Sequence, residues 1–447
     1  FTLCHNNAEP NKNLNERNIK AFYEKDITPP LGCYLAGYYI NHTAEDVLDP
    51  LYVRTAVLES DGTVAAFIDI DSCELPDDLH DAVTGRITAY TGIQPENILI
   101  AVNHTHKGIP ITDNPEIGAY ADAPYKDVCY RLIADSVILA YRRLAASDGV
   151  FAVGKAEGIS FNRTSRMKDG SLRTNVFTEA VQEPFGEIDT DVPLLFFRST
   201  EGTPLGAIVA FACHQDCTPG SQYSGAFAAV LAKELKKEFG NDFITVFFAG
   251  TSADINHFDP ARGGTMPDDT YITMGNVLKK ACLDALPHAK PIGDGIVCKK
   301  QSFPVTRRIL TEEETLAEIR RLADNKDITA IRNLCYYQAN VKDAAASVYL
   351  QYIRVGTVSV YAFPGEMFVY FGKYIKAHAA TTDNIVISFA NSGCGYVATR
   401  EAFAENSYLY EKDLCFGACL APEEGYRMTE ELLRMAQAKE RYNGDKD

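Results

Sequence analysis

Tryptophan is absent from this 447-residue sequence, and methionine and histidine are scarce, with 6 and 9 residues. No apolar run approaches the ~20 residues that a membrane-spanning helix requires, so we expect no integral membrane contact. Basic residues are in deficit as well, because 43 Lys and Arg stand against 60 Asp and Glu, a net charge of −17. Such a surface repels phosphate backbones and anionic lipids, which argues against nucleic acid as a partner and favours a small molecule.

The 12 cysteines include no CxxC pair. Cys73, Cys213 and Cys282 lie in or beside apolar segments, where a free thiol packs as a small hydrophobic group. A disulfide-framed secreted domain would also be far shorter than this chain. The sequence opens Phe-Thr-Leu-Cys-His without a basic and apolar leader, so we expect a cytoplasmic protein with reduced thiols, the alternative being a signal peptide already removed.

Apolar runs typical of strands alternate with longer amphipathic stretches, which predicts an α/β fold with a mixed, layered sheet core and helices packed outside it. The predicted strands are Val64–Ile70, Ile98–Asn103, Pro193–Arg198, Ala207–Ala212, Phe243–Ala249, Val348–Val355, Val358–Phe363 and Ile385–Phe389. The predicted helices are Pro76–Tyr90, Tyr125–Leu144, Phe227–Phe239, Thr273–Leu286, Thr311–Asp324, Met367–Ala380 and Thr429–Glu440. Thr311, followed by three glutamates, predicts a capping box. Residues 155–190 are polar and irregular and predict a long functional loop.

Four histidines follow strand-like runs, at the places where α/β folds gather ligands and catalytic groups. They lie in Asn103-His104-Thr105-His106, in Phe211-Ala-Cys-His214-Gln215-Asp216, and in Ala253-Asp254-Ile255-Asn256-His257. Two further strand-end motifs are Phe363-Pro364-Gly365-Glu366 and Gly395-Tyr396. Singly, each motif also fits a hydrogen-bonded structural histidine or a turn glutamate. Together, His104, His214 and Glu366 offer the N, N, O set that suits a catalytic zinc.

These motifs, in this order over roughly residues 20–420, resemble the catalytic domain of the neutral/alkaline (non-lysosomal) ceramidases. The other matching segments are Asp26-Ile-Thr-Pro-Pro-Leu-Gly32, Asp49-Pro-Leu-Tyr-Val53, Phe161-Asn162-Arg163, Gly395-Tyr396-Val-Ala-Thr399 and Tyr410-Glu411. The resemblance implies one catalytic domain over residues 1–447, with a helical excursion at about 311–347 and no C-terminal immunoglobulin-like domain. It also implies Zn²⁺ held by His104, His214, Glu366 and Tyr396.

The resemblance further implies amide hydrolysis by a metal-activated water. Arg163 and Tyr410 would then face the reacting group, with Tyr408 as the alternative tyrosine, and His106 or Asp216 would shuttle the proton. Two departures from the family, Asn256-His257 in place of Ser-Pro and Gln215-Asp216 in place of Pro-Thr, favour a small soluble substrate over ceramide.

Three alternatives stay open at this point. The same metal site could serve an ester or glycoconjugate bond, or the chain could be a non-catalytic, metal-stabilised binding protein. Asp26, Asp49, Asp69 and Asp71 could hold a second cation, although turn and capping roles fit them better. A homo-oligomer is compatible with the sequence.

Overall fold

The structure, a computed structural model, describes residues 18–38, 40–404 and 406–438. Within these ranges the helices are α1 (Leu79–Thr91), α2 (Ala123–Tyr141), α3 (Ala226–Phe239), α4 (Thr270–Ala285), α5 (Glu312–Asp324), α6 (Ile328–Asn340), α7 (Val369–His378) and α8 (Glu424–Gln437). None of the described helices is both long and apolar enough to cross a bilayer.

The strands, numbered along the chain, form two main sheets. The larger sheet, in the order β14-β12-β11-β6-β1-β3-β4-β5 with β16 beside β6, contains β1 (Asn18–Asp26), β3 (Tyr52–Ser60), β4 (Thr63–Ile70), β5 (Ile98–Val102), β6 (Ala145–Lys155), β11 (Asp191–Ser199), β12 (Pro204–Phe211), β14 (Ile244–Ala249) and β16 (Lys290–Pro291). The second sheet, in chain order, contains β17 (Ile296–Thr306), β18 (Ala345–Val355), β19 (Val358–Ala362) and β21 (Asn384–Ile387).

The remaining strands are short. A third sheet contains β8 (Thr164–Met167), β9 (Leu172–Thr174), β10 (Val181–Pro184) and β23 (Ser407–Tyr408). Three two-stranded pairs join β2 (Asp46–Val47) to β13 (Gln222–Tyr223), β7 (Phe161–Asn162) to β15 (Ile255–Asn256), and β20 (Glu366–Met367) to β22 (Tyr396–Val397).

The two main sheets pack face to face and are covered by helices on both outer sides. Phe67 and Val246 of the larger sheet share one apolar core with Val360 of the second sheet. On the outer face of the larger sheet, α1 and α2 cover one half and α3 and α4 cover the other. Helices α7 and α8 cover the outer face of the second sheet. The result is a four-layer arrangement of helices, sheet, sheet and helices, which explains why the central strands are apolar on both faces.

Three parallel strand pairs, each joined through a helix, organise this core. They are β4-α1-β5, β12-α3-β14 and β19-α7-β21. Loops at the carboxyl ends of these strands meet, because Thr105 bridges to Gln215 and Ala101 bridges to Ala390. The fold therefore collects three separate strand ends at one place, as expected for ligand sites in α/β proteins.

The α/β fold class with a layered, mixed sheet core is confirmed, and all eight predicted strands are present. The capping box at Thr311 is present, with both hydrogen bonds to Glu314. The helix predicted over Thr429–Glu440 instead begins at Glu424, and its last two predicted residues lie outside the described ones. The prediction of one irregular loop over 155–190 is wrong, because the segment forms β7 to β10, whose hydrogen-bond partners include β15 and β23, distant in the sequence.

Candidate metal centre and active-site cavity

His104, His214 and Glu366 converge at the meeting point of the three strand ends. The Nε2 atoms of His104 and His214 each lie 3.5 Å from Oε2 of Glu366. All three ligand atoms lie within 4.8 Å of one another, and each is buried without a hydrogen-bond partner in the part of the chain that the structure describes. The edges of a tetrahedron of ligands around zinc measure about 3.3 Å, so this spacing fits such an ion.

The other ring nitrogen, Nδ1, of His104 and of His214 is hydrogen-bonded to a backbone carbonyl. Nδ1 of His104 is 2.9 Å from the Cys73 carbonyl, and Nδ1 of His214 is 2.9 Å from that of Ser252. Since a carbonyl only accepts, both Nδ1 atoms carry the proton and both Nε2 atoms present lone pairs toward Glu366. This is the tautomer that a metal-binding histidine needs, fixed by its backbone neighbours.

The charges of the cluster agree with that assignment. Burial lowers the pKa of His104 to about 4, against the opposing effect of Glu366, so its imidazole is neutral at pH 7. Burial would raise the pKa of Glu366, but His104, His214 and Arg163 outweigh it and lower that pKa to about 2. The neutral imidazole of His104 therefore faces the Glu366 carboxylate, an arrangement compatible with a cation held between them.

The backbone of His104 is strained. His104 has φ +66°, a left-handed conformation uncommon for a residue with a side chain, and its ring stacks on Phe389 at 4.1 Å between centroids. The His-x-His segment is therefore a turn after β5 and not an extended strand. His106 still lies beside His104, with ring centroids 5.0 Å apart, although it does not join the set of His214 and Glu366.

His106 sits in a pocket that only glycine allows. A Cβ on Gly37, which has φ +85°, would lie 2.6 Å from Nδ1 of His106. The Tyr38 ring lies edge-on to His106, with centroids 5.6 Å apart, and neither nitrogen of His106 has a hydrogen-bond partner. Burial, assisted by His104 and His214, holds the pKa of His106 well below its ordinary value, so this imidazole too is neutral.

Tyr396 and Tyr410 lie beside Arg163. Tyr396 is the register partner of Glu366 in the β20–β22 pair, and its hydroxyl is 3.5 Å from Nη2 of Arg163. The Arg163 guanidinium lies 5.1 Å from the centre of the Tyr410 ring. Burial raises the pKa of Tyr410, and Arg163 offsets only part of the rise, so the phenol stays protonated and can donate. Tyr408, in contrast, is 56% exposed and lies against Arg173.

Arg163 is held by two groups that the sequence showed only as members of motifs, without a role. Its Nε lies 2.7 Å from Oε1 of Glu411, and Nη2 donates to the Ala253 carbonyl. Glu411 is completely buried and also accepts a 2.6 Å hydrogen bond from Thr174. Arg163 is thus held between the Glu411 carboxylate and the Ala253 carbonyl, with its Nη2 beside the Tyr396 hydroxyl.

Asp216 lies behind the site and not on its wall. Its Oδ1 accepts a 2.7 Å hydrogen bond from the Tyr38 hydroxyl, and Tyr38 is the residue that faces the cavity. Asp254 belongs to one of the strand-end motifs and supports the start of α7. Its two carboxylate oxygens accept hydrogen bonds from the Val369 amide at 2.7 Å and from Asn162 at 2.9 Å. Burial raises the pKa of Asp254 to about 6.

The four aspartates weighed as a second cation site have protein partners. Asp71 lies 2.9 Å and Asp69 lies 3.7 Å from the buried Arg54 guanidinium. Asp49 accepts from Ser224 at 2.6 Å and from the Gly225 amide at 2.9 Å, while Asp26 caps Thr28. These contacts are those of pairing and capping groups.

A cavity of about 320 Å³ opens above the cluster. His104, His106, Glu366 and Tyr396 form its floor, and Tyr38 forms one side. The opposite wall comes from α6, through Asn333, Tyr336, Tyr337 and Asn340. The volume lies at the small end of the range for small-molecule sites. Larger depressions elsewhere, such as the one of about 460 Å³ between Gly154 and Lys290, lack this convergence of ligating atoms.

Comparisons with known proteins agree with this architecture. The structure is similar to that of neutral ceramidase from Pseudomonas aeruginosa, with a TM-score of 0.72 and 17% sequence identity, covering 94% of this chain and 74% of that one. It is also similar to a ceramidase complexed with C2, with a TM-score of 0.73 and 17% identity, over 94% and 75% of the two chains. No protein-family model and no curated protein matches the sequence. The resemblance inferred from the ordered motifs is thus confirmed at the level of the fold.

Proposed function

We propose that this chain is a zinc-dependent hydrolase that cleaves an N-acyl amide bond of a small soluble substrate, with the metal held by His104, His214, Glu366 and Tyr396. The observation that supports it most is the convergence of two imidazole lone pairs and one carboxylate oxygen, all buried without hydrogen-bond partners, beneath a cavity. The fold shared with ceramidases favours an amide as the bond cleaved.

Zinc held by His104, His214, Glu366 and Tyr396 would lower the pKa of a water into the neutral range and would polarise a carbonyl oxygen. The protein supplies the remaining steps. Tyr410, protonated and close to Arg163, donates a hydrogen bond to the oxygen on which negative charge develops. Arg163, anchored by Glu411, orients Tyr396 and Tyr410. His106, a neutral imidazole on the cavity floor, accepts a proton and passes it to the leaving amine.

His106 suits the proton transfer better than Asp216, because it lines the cavity while Asp216 is screened by Tyr38. Asp216 then acts at a distance: it fixes the Tyr38 hydroxyl, and the Tyr38 ring in turn limits how His106 can rotate.

The cavity favours a substrate smaller than ceramide. A ceramidase buries long acyl chains, each CH₂ contributing ~0.8 kcal/mol, which needs an extended apolar wall. The cavity here holds about 320 Å³, and Asn114, Asn333 and Asn340 interrupt its apolar lining.

Metal analysis combined with an amide substrate panel tests the proposal. The purified protein should bind about one zinc per chain, hydrolyse short N-acyl amides, lose activity with a chelator and regain it with Zn²⁺. Glu366→Gln removes the charged ligand and should lower kcat/KM by on the order of 10³-fold or more. His378→Ala is the matched control, because His378 is an exposed histidine of α7 stacked on Tyr374, and it should change neither metal content nor rate.

Other outcomes assign the site differently. Faster hydrolysis of matched esters than of amides would make the chain an esterase with this metal centre. Stoichiometric metal without hydrolysis of amide, ester or glycoconjugate would make it a metal-stabilised binding protein. Absence of stoichiometric metal after reconstitution would overturn the zinc assignment itself.

A further inference from the structure

One wall of the cavity belongs to a part of the molecule with its own small core. Helix α6 packs with α5 and with the short helix Leu414–Phe416 around Leu322, Ala330 and Leu334. This unit contributes no residue to the metal cluster, yet it faces the cluster across the cavity. Side chains of α6 are therefore placed to contact the part of a substrate that does not react.

Asn333 is the distinctive residue of that wall. Its Nδ2 donates a 3.1 Å hydrogen bond to the Cys415 carbonyl. A carbonyl oxygen only accepts, so this contact fixes which end of the amide is nitrogen and turns Oδ1 away from Cys415. Oδ1 is buried and has no hydrogen-bond partner among the described residues, although the side chain lines the cavity. A buried acceptor without a partner is costly, and a donor supplied by a ligand would remove that cost.

The charge of the cavity lining further limits which chemical groups the substrate can carry. Among the described residues that line the cavity, none is lysine or arginine, whereas Glu74 and Glu366 are acidic. Arg163, beside Tyr396, is paired with Glu411. At the α6 wall, away from the metal cluster, a carboxylate or phosphate of the substrate would have no lysine or arginine of the lining to pair with, so anionic groups are disfavoured there.

We infer that Asn333 determines substrate specificity, with Oδ1 accepting a hydrogen bond from a hydroxyl or ammonium group at the non-reacting end of the substrate. The substrate class is then N-acyl amides that bear such a donor, and N-acyl amides ending in a carboxylate are rejected. This inference rests on the proposed amide hydrolysis, and it names the substrate class of the same site.

A series of short N-hexanoyl amides tests the inference. The amine portion ends in a hydroxyl, an ammonium, a methyl or a carboxylate group, and a matched series has the same groups on the acyl portion. In at least one series, the hydroxyl or ammonium member should exceed the methyl member about tenfold in kcat/KM, and the carboxylate member should be the poorest. Asn333→Leu should reduce the tenfold preference to within about twofold, with little change for the methyl member.

Gln338→Leu is the control, because Gln338 is an amide of the same helix that donates to Thr315 at 3.2 Å and does not line the cavity. It should leave the preference unchanged. Should Asn333→Leu fail to fold, Asn333→Asp keeps the acceptor and adds a negative charge, so it should raise the preference for ammonium over hydroxyl.

Binding measurements separate this inference from the proposed reaction. Calorimetry on the metal-stripped full chain should give a lower Kd for the donor-bearing amide than for its methyl counterpart, and Asn333→Leu should remove the difference. If no amide is cleaved but this difference holds, the hydrolase proposal fails and the role of Asn333 stands. If amides are cleaved and neither series shows a preference that depends on Asn333, or the carboxylate member is best, the inference is wrong.

Discussion

The floor and the α6 wall of the cavity are built in different ways. The floor residues His104 and Glu366, together with His214 of the metal cluster beneath them, follow strands of two sheets that share one buried core, and the strand ends are linked by backbone bridges. The wall belongs to a helical pair held by a small cluster of its own. The positions of the metal ligands thus depend on the core shared by the two main sheets. Contact with the substrate depends on α5 and α6, whose residues can change without altering that core. Substitutions in the metal cluster should abolish turnover, and substitutions in the α6 wall should change which substrates are preferred.

The surroundings of the metal cluster are tested most sharply by comparing two neighbouring tyrosines, Tyr410 and Tyr408. Tyr410→Phe removes the phenol that faces Tyr396 and Arg163 and should lower kcat by on the order of 10²–10³-fold with zinc retained. Tyr408→Phe is the matched control, because Tyr408 is 56% exposed, and its kcat should stay unchanged. The reverse pattern would transfer the role to Tyr408, and raised KM at constant kcat would make Tyr410 a binding residue.

Arg163→Ala should affect the fold as well as the reaction. The substitution leaves Glu411 completely buried without its cation, which typically costs about 3–5 kcal/mol in free energy of unfolding. Adding Glu411→Gln should recover part of that loss, since the uncompensated charge is then gone. Urea denaturation of the two single variants and the double variant measures the coupling, and strictly additive effects would contradict the buried ion pair.

Asp254, which accepts a hydrogen bond from the first residue of α7, predicts a pH dependence of the free energy of unfolding. Burial raises the pKa of Asp254 to about 6, above the value of about 4 expected in the unfolded chain. Between these values the folded state binds a proton that the unfolded state has released. The contribution of Asp254 is therefore fully present below pH 4 and falls by about 3 kcal/mol as the pH rises through 6.

Asp254→Asn removes this titration. The difference in unfolding free energy between wild type and variant should change across pH 4–6 and be level above pH 7. A difference that does not vary with pH would show that the carboxyl group is ionised throughout.

The smallest effect is expected on the wall. Tyr336 lines the cavity at its rim and is 43% exposed. Tyr336→Ala should raise KM a few-fold by removing contact area, with kcat, zinc content and Tm close to wild type. A large loss of kcat would mean that the wall takes part in catalysis and would remove the distinction between the two regions.

The sequence predicted strands such as β4 and β12 because residues on both of their faces are buried, which produces continuous apolar runs. It did not predict β1, β3 and β17, whose runs are interrupted by Lys20, Arg54 and Lys300. These charges are satisfied by groups far away in the sequence: Lys20 donates to the Ser147 carbonyl, Arg54 pairs with Asp71, and Lys300 donates to Pro95 and His80. Such partners cannot be recognised from a single local window.

In the candidate site, too, some features have a local sequence signal and others depend on partners far away in the sequence. Strand-end position predicted that His104, His214 and Glu366 would meet, because it depends only on the α/β layout. The contacts of Glu411 with Arg163, of Asp216 with Tyr38, and of Asn333 with Cys415 join segments that no motif relates. The placement of α6 over the metal cluster likewise depends on how a separate helical pair docks.

Elemental analysis of wild type and His214→Ala, each reconstituted with zinc and dialysed, tests the metal centre most directly. Wild type should retain about one zinc per chain and the variant close to none, and the two metal-free proteins should have nearly the same Tm, because His214 is one of three converging ligands outside the apolar cores. Hydrolysis of the N-hexanoyl amides should disappear with the metal. Equal zinc in both proteins, or hydrolysis that survives in the metal-free variant, would contradict a reaction that depends on a metal at this site.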